Sequence, residues 1–214
     1  MNLTKKLSLI LGALVTVLAL AACGSGAGTP ATSASAPAAS GWSDTDDTGA
    51  TITLDHKPER VAGFADQVLS LLSYGVQPVA VFGRVDVKND PRFAGYDLSQ
   101  VKIVGNAYGE IDLEALAEAE PDLIVTAVYP SDREGTIDAK SPYYGLKDLE
   151  QQKKILDIAP VAAVKVGGKG LDVIESNAKL AVALGADQAK VDADRAAFAT
   201  ASTKLTAAAG ESGL

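Results

Sequence analysis

The stretch Ile103–Asp132, IVGNAYGEIDLEALAEAEPDLIVTAVYPSD, decides the fold. Its pattern predicts strand, loop, helix, strand, loop. Ile103 and Val104 end a short apolar strand, and Gly105–Glu110 form a loop with two glycines. Asp112 is a good N-cap for a helix whose apolar face is Leu113, Leu116 and Ala117, at the i, i+3, i+4 spacing of one helical side. Pro121 stops that helix. Leu123, Ile124 and Val125 then run without interruption, as a parallel strand buried on both faces does. Tyr129, Pro130, Ser131 and Asp132 leave its carboxyl end. In open α/β sheets ligands bind outside those ends, so both loops of this unit open where a ligand would sit.

The rest of the chain extends the same alternation. Ala50–Leu54 alternates as a strand, with Ile52 and Leu54 on one face, and is expected to hairpin with the residues before it around Thr48-Gly49. Arg60–Gly63 reads as the first parallel strand, Phe64–Gln67 as the loop after it, and Val68–Leu72 as a short helix that Gly75 caps. Pro78–Phe82 is a second strand, followed by Gly83-Arg84. Val85–Gln100 is a polar connection. After the central unit come a long loop (Arg133–Tyr144), a helix (Leu146–Lys154), a strand (Ile158–Val164) and a helix from Leu171 to about Leu184. Asp187–Ala209 is the longest helical pattern, roughly 34 Å at 1.5 Å per residue. Val191, Phe198 and Leu205 recur along it every seven residues.

The run Gly105, Glu110, Ile111, Leu113-Glu114-Ala115-Leu116 and Pro121-Asp122-Leu123-Ile124 resembles the N-terminal lobe of the binding-protein family for ferric siderophores, haem and vitamin B12. Pro58-Glu59-Arg60-Val61, Leu71-Leu72-Ser73-Tyr74-Gly75-Val76-Gln77-Pro78-Val79 and Ile158-Ala159-Pro160-Val161 add to the likeness, with Tyr74 where leucine is usual. The resemblance implies an α/β, Rossmann-like lobe with a mostly parallel sheet over residues 41–169. Residues 170–214 then supply a helix and the long helix that links two lobes. It covers about Ile52–Ala209. The family continues with a second lobe, absent from this sequence, so the expectation is a truncated product or a fragment, with a natural single-lobe variant as the alternative.

Ahead of that lobe, Lys5 and Lys6 precede an apolar run, Leu7–Ala22, too short for a comfortable bilayer span. Leu20-Ala21-Ala22-Cys23 has the bacterial lipoprotein pattern. Residues 1–22 are therefore expected to be cleaved and Cys23 to carry diacylglycerol. Cys23 is the only cysteine, so no intramolecular disulfide forms. Residues 23–40, rich in Gly, Ala, Ser, Thr and Pro, read as a flexible tether. The expected location is the outer side of the cell membrane, held by lipid rather than by a span.

Composition excludes several function classes. The net charge is −8, and losing Lys5 and Lys6 with the leader makes it two units more negative. No basic patch offers itself to nucleic acid. One histidine, His56, cannot build a zinc site. A hydrolytic triad would have to use His56, which lies before the edge where the loops cluster, and an exposed histidine near a turn is the better reading. Asp44, Asp46 and Asp47 lack the glycine and glutamate of a calcium loop and read as a solvated acidic run. Gly167-Gly168-Lys169-Gly170 opens a helix but lacks the Walker spacing, and reads as a plain turn.

The remaining chemistry sits in the strand-end loops: Phe64, Asp66, Arg84, Asn106, Tyr108, Tyr129, Ser131 and Arg133. Arginine donates several hydrogen bonds to oxygen-rich anions. Tyrosine covers an apolar face and still donates its hydroxyl. The resemblance implies a non-enzymatic, monomeric, lipid-anchored subunit of an ABC importer. It would bind a ferric siderophore, or haem or a corrinoid, with no resident cofactor or metal. Related hydroxamate binders carry an arginine in the loop that here reads Gly105-Asn106-Ala107-Tyr108, and this chain has none there. Glu114 matches the family's first-lobe glutamate that pairs with permease arginines. The competing reading is a lone-lobe interaction lipoprotein without a small-molecule ligand.

Overall fold

The structure is a computed structural model and describes residues 41–210. Cys23, the leader and the tether lie outside the described residues. Two short strands, β1 (Trp42–Thr45) and β2 (Thr51–Leu54), form the expected antiparallel hairpin. Five parallel strands follow: β3 (Val61–Phe64), β4 (Ala80–Phe82), β5 (Lys102–Gly105), β6 (Leu123–Val128) and β7 (Val161–Lys165). Their order across the sheet is β5-β4-β3-β6-β7. The chain therefore winds outward from β3 in one direction, then returns and winds outward from β6 in the other. The crevice at the carboxyl ends of β3 and β6 is the topological switch point, where such sheets hold ligands.

Helices cover both faces. α1 (Ala65–Ser73) and α4 (Gly170–Ala183) pack on one, through Leu71, Leu180 and Ala181 against Val61, Val125 and Val164. α2 (Leu113–Glu118) and α3 (Leu149–Leu156) pack on the other, through Leu116 and Ile155 against Ala62, Ala80 and Ile124. All six residues of β6 are buried, and all but Thr126 are apolar. β3 and β6 approach closely at Gly63, paired with Val125, where a Cβ would strike the Val125 side chain and carbonyl. The link from β4 to β5 holds two 3-10 turns, Val87–Asn89 and Pro91–Phe93, which bury Val87 and Phe93 under α1.

Several local expectations need correction. No loop separates β3 from its helix: Phe64 is the last extended residue and α1 begins at Ala65, placing Asp66 in the first turn. On α2 Leu116 is buried with Leu113 packed against the same core as expected, but the face continues through the C-cap residue Ala119, and Ala117 is exposed. Asp112 caps α2 as expected, accepting from the Ala115 amide at 2.9 Å. α3 starts later than its apolar pattern suggests, because the Asp148 side chain caps it at Gln151 while Leu146 belongs to the core.

The acidic run is not merely solvated. Asp46 Oδ2 accepts from the Ala163 amide at 2.9 Å, and Asp47 Oδ2 accepts from the Lys165 amide at 2.8 Å. The Asp47 amide donates to the Ala163 carbonyl at 3.2 Å. The hairpin turn thus covers the outer edge of β7, satisfying amides that a sheet edge otherwise leaves open. Trp42 Nε1 donates to the Ala183 carbonyl at 2.9 Å, and Lys179 Nζ donates to the Thr45 carbonyl at 2.9 Å, fastening the hairpin to α4.

α5 (Gln188–Ala209) is the expected long helix, capped by Asp187 through the Ala189 amide. Of its heptad stripe only Val191 is buried, and Phe198 and Leu205 are exposed. No helix among the described residues is long and apolar enough to cross a membrane.

Candidate functional site

At one edge β3 runs straight into α1 and the other four strands release loops, three of which are fixed together by cross-links. The Gly83 amide donates to the Gly105 carbonyl at 2.9 Å, joining the loops after β4 and β5. Asn106 Oδ1 accepts from the Val87 amide at 3.0 Å and strengthens the same joint. Gln151 Nε2 of α3 donates to the Gly109 carbonyl at 2.9 Å, and the Gly109 amide donates to the Gly145 carbonyl at 3.2 Å. The long loop after β6 is folded back onto its own strand. The Tyr144 amide donates to the Ala127 carbonyl at 2.8 Å, and buried Thr126 donates its hydroxyl to the Tyr144 carbonyl at 2.6 Å. Gly145 holds φ +90°, and a Cβ there would lie 2.5 Å from the Phe64 ring. Glycine is required on both counts.

These joints bring aromatic rings from four loops and strand ends onto one spot. Tyr144 is the hub. Its ring meets Tyr129 at 4.6 Å, Tyr108 at 5.3 Å and Phe64 at 5.3 Å between centroids, the last nearly edge-on. Phe64 rests on Phe82 beneath at 6.0 Å. Tilted and edge-on pairs are the favourable geometries, each worth about 0.5–1.5 kcal/mol beyond area burial. Phe64 is buried and serves as the floor, while Tyr108 and Tyr129 are each about half exposed. Burial, and then the neighbouring Tyr144, push the Tyr129 phenol above its usual range, so it stays a hydrogen-bond donor across ordinary pH.

Charges ring the platform. Arg84 Nη1 donates to the Tyr144 hydroxyl at 3.4 Å, and its side chain is otherwise exposed. Arg92 lies between Asp90 and Asp66, at 2.6 Å from each. Asp90, and then Asp66, hold the Arg92 pKa above its usual value, and Arg92 lowers that of Asp90. Asp66 is therefore engaged in an ion pair. Ser131 donates both its amide and its hydroxyl to the Thr136 carbonyl, shaping the loop. Arg133 borders a groove of about 770 Å³ beside the platform, between the loops after β6 and β7, together with Tyr129, Asp132, Lys165 and Gly168. Glu114 is exposed in the first turn of α2, on the same edge of the sheet.

Tyr144 and Arg92 were not singled out by the sequence. Tyr144 looks like the end of a featureless loop, and its importance comes from a bridge to Ala127, 17 positions earlier. Arg92 follows Asp90-Pro91, a turn signal that hides an ion-pair triad.

His56 lies elsewhere. Its Nδ1 is 2.5 Å from Asp55 and its Nε2 is 3.4 Å from Asp122. Asp122 precedes β6 and accepts from the Glu59 and Arg60 amides before β3, at the opposite edge of the sheet. Among the described residues no group of three or more His, Cys, Asp and Glu is arranged to hold a metal ion.

No family model and no curated protein matches this chain. Solved structures do. DesE, a ferric-siderophore receptor protein from Streptomyces coelicolor, is 30% identical with a TM-score of 0.65, over 78% of this chain and 55% of that one. The siderophore periplasmic binding protein from the fuscachelin gene cluster of Thermobifida fusca is 23% identical with a TM-score of 0.50, over 72% of this chain and 52% of that one. The petrobactin-binding protein YclQ of Bacillus subtilis is 19% identical with a TM-score of 0.53, over 75% of this chain and 50% of that one. At those identities the last two speak for the fold alone. The chain spans about half the length of these proteins, which are receptors and binding proteins rather than enzymes. Over that half, the chain is similar in sequence and fold to DesE, a ferric-siderophore receptor protein.

Proposed function

We propose that this chain is the lipid-anchored substrate-binding subunit of an ABC importer and takes a ferric siderophore. The observation that carries the reading is the tyrosine platform at the β3/β6 switch point, in a chain 30% identical to a ferric-siderophore receptor. Tyr108, Tyr129 and Tyr144 offer ring faces to the carbon skeleton of a chelate and hydroxyls to its oxygen shell. Arg84 and Arg133 add directional donors at the rim. Cys23 carries the lipid, residues 23–40 form the tether, and Glu114 meets an arginine of the permease. The preset loop joints fit a binder that moves little on loading.

A second reading rests on a separate observation. Leu171, Ile174 and Phe198 are exposed around an apolar groove of about 220 Å³ between α4 and α5. A lone lobe that binds another protein would use such a face.

The test is a titration of the chain with ferric siderophores followed by tyrosine fluorescence, alongside the Tyr108→Ala, Tyr129→Ala double variant. The siderophore reading expects saturable quenching that weakens at least about tenfold in the variant, a loss of about 1.4 kcal/mol. Unchanged titration in a folded variant would contradict it.

A further inference from the structure

We infer that Gln151, in the first turn of α3, is a positioning residue for the platform: its side chain sets Tyr108 against Tyr144 by holding both of their loops at once. This rests on the siderophore reading above. Gln151 Oε1 accepts from the Lys147 amide at 2.7 Å, in the segment just after Tyr144. Its Nε2 donates to the Gly109 carbonyl at 2.9 Å, next to Tyr108. Asp148 and Gln151 have the spacing of a capping box, in which the second side chain reaches back for a backbone amide. A cap needs only the acceptor oxygen. The nitrogen is spare for that purpose, and it crosses to the other loop.

The helix is a firm base for this grip. Asp148 caps it at the Gln151 amide at 2.8 Å, and Ile155 is fully buried in the core. Gln152 Oε1 accepts from the Tyr143 amide at 2.7 Å, so the same turn also holds the chain just before Tyr144. The Tyr108 loop is otherwise fastened away from that ring: the Gly105 carbonyl and the Asn106 side chain both bind the loop after β4. Among the described residues two hydrogen bonds tie it to the Tyr144 loop, both at Gly109. The Gly109 amide reaches the Gly145 carbonyl at 3.2 Å, and the Gly109 carbonyl takes the shorter bond from Gln151. Without the Gln151 donor a single long bond is left to hold Tyr108. Its ring is about half exposed, and a ring free to swing must be ordered again when a ligand arrives, which costs affinity.

The experiment compares the unaltered chain with Gln151→Glu and Gln151→Met. Glutamate keeps an oxygen for the Lys147 amide and suits the first turn of a helix, so the cap survives while the Gly109 donor is lost. Methionine loses both bonds and adds no charge. Nuclear magnetic resonance reads the cross-peaks between tyrosine rings in the ligand-free chains. Titration with ferric ferrichrome and ferric enterobactin reads affinity, and urea unfolding checks that each variant is folded. In both variants the Tyr108–Tyr144 cross-peaks are expected to vanish, the Tyr129–Tyr144 cross-peaks to persist, and the affinity for whichever probe binds the unaltered chain to fall at least about tenfold. Rings that stay in place, movement in Gln151→Met alone, or moved rings with unchanged affinity would each overturn the inference and leave the siderophore reading standing. An unaltered, folded chain that binds neither probe overturns both.

Discussion

Tyr144 shows how one residue can organise a site. Its ring touches three others, its hydroxyl meets Arg84, and its backbone ties a long loop to β6. Two other residues support predictions at this scale. Gln67 is buried in α1, and its Oε1 has no hydrogen-bond partner. A buried orphan acceptor costs about 1–3 kcal/mol, and an apolar residue of the same shape avoids that cost. Gln67→Met is therefore expected to raise stability by about 1 kcal/mol, measured by urea unfolding. A loss of stability would mean that the amide has a partner of its own. His56 has its pKa raised above the ordinary 6.5, first by the Asp55 hydrogen bond and further by Asp122. Its contribution to stability is complete below 6.5 and disappears as pH rises through the higher folded value. His56→Ala should thus lower the midpoint of thermal unfolding in mild acid and leave it unchanged in alkali. A pH-independent difference would contradict the charged pair.

The elements were legible where local chemistry agrees with the tertiary outcome. β6 reads as a buried parallel strand because both its faces are covered, and α2 and α5 start where an aspartate side chain caps them. Legibility failed where distant partners decide. The direct joint from β3 into α1 has no side-chain cap to announce it. The carboxylates of Asp46 and Asp47 look solvated until β7 is known to lie beside them, 117 and 118 positions away in sequence. That contact carries a prediction at the scale of the element. Replacing both aspartates by alanine removes the two charge-assisted hydrogen bonds to β7, together with three that Asp46 Oδ1 accepts within the turn, and uncovers the β7 edge. Stability should fall by about 2–4 kcal/mol, and the variant should self-associate, as uncovered edges do. Light scattering and urea unfolding would measure both. A monomer of unchanged stability would show that the hairpin is ornamental.

At the scale of the molecule, the fold sets out a division of labour. The carboxyl edge of the sheet carries tyrosines and arginines, while the opposite edge carries His56, Asp122 and backbone caps. The helix pair α4 and α5 presents an apolar face. The central claim is that the first of these regions receives the ligand. The platform could be placed from sequence only in part: Tyr108 and Tyr129 fall in strand-end loops that topology brings together, but no local pattern marks the hub between them. The most direct test is nuclear magnetic resonance of the chain with gallium-loaded ferrichrome, in which diamagnetic gallium(III) replaces iron(III). Shifts are expected to concentrate on Tyr108, Tyr129, Tyr144 and the Arg84 side chain, with His56 and the α4–α5 face unmoved. Shifts confined to the α4–α5 face, or none at any concentration of the chelate, would contradict it.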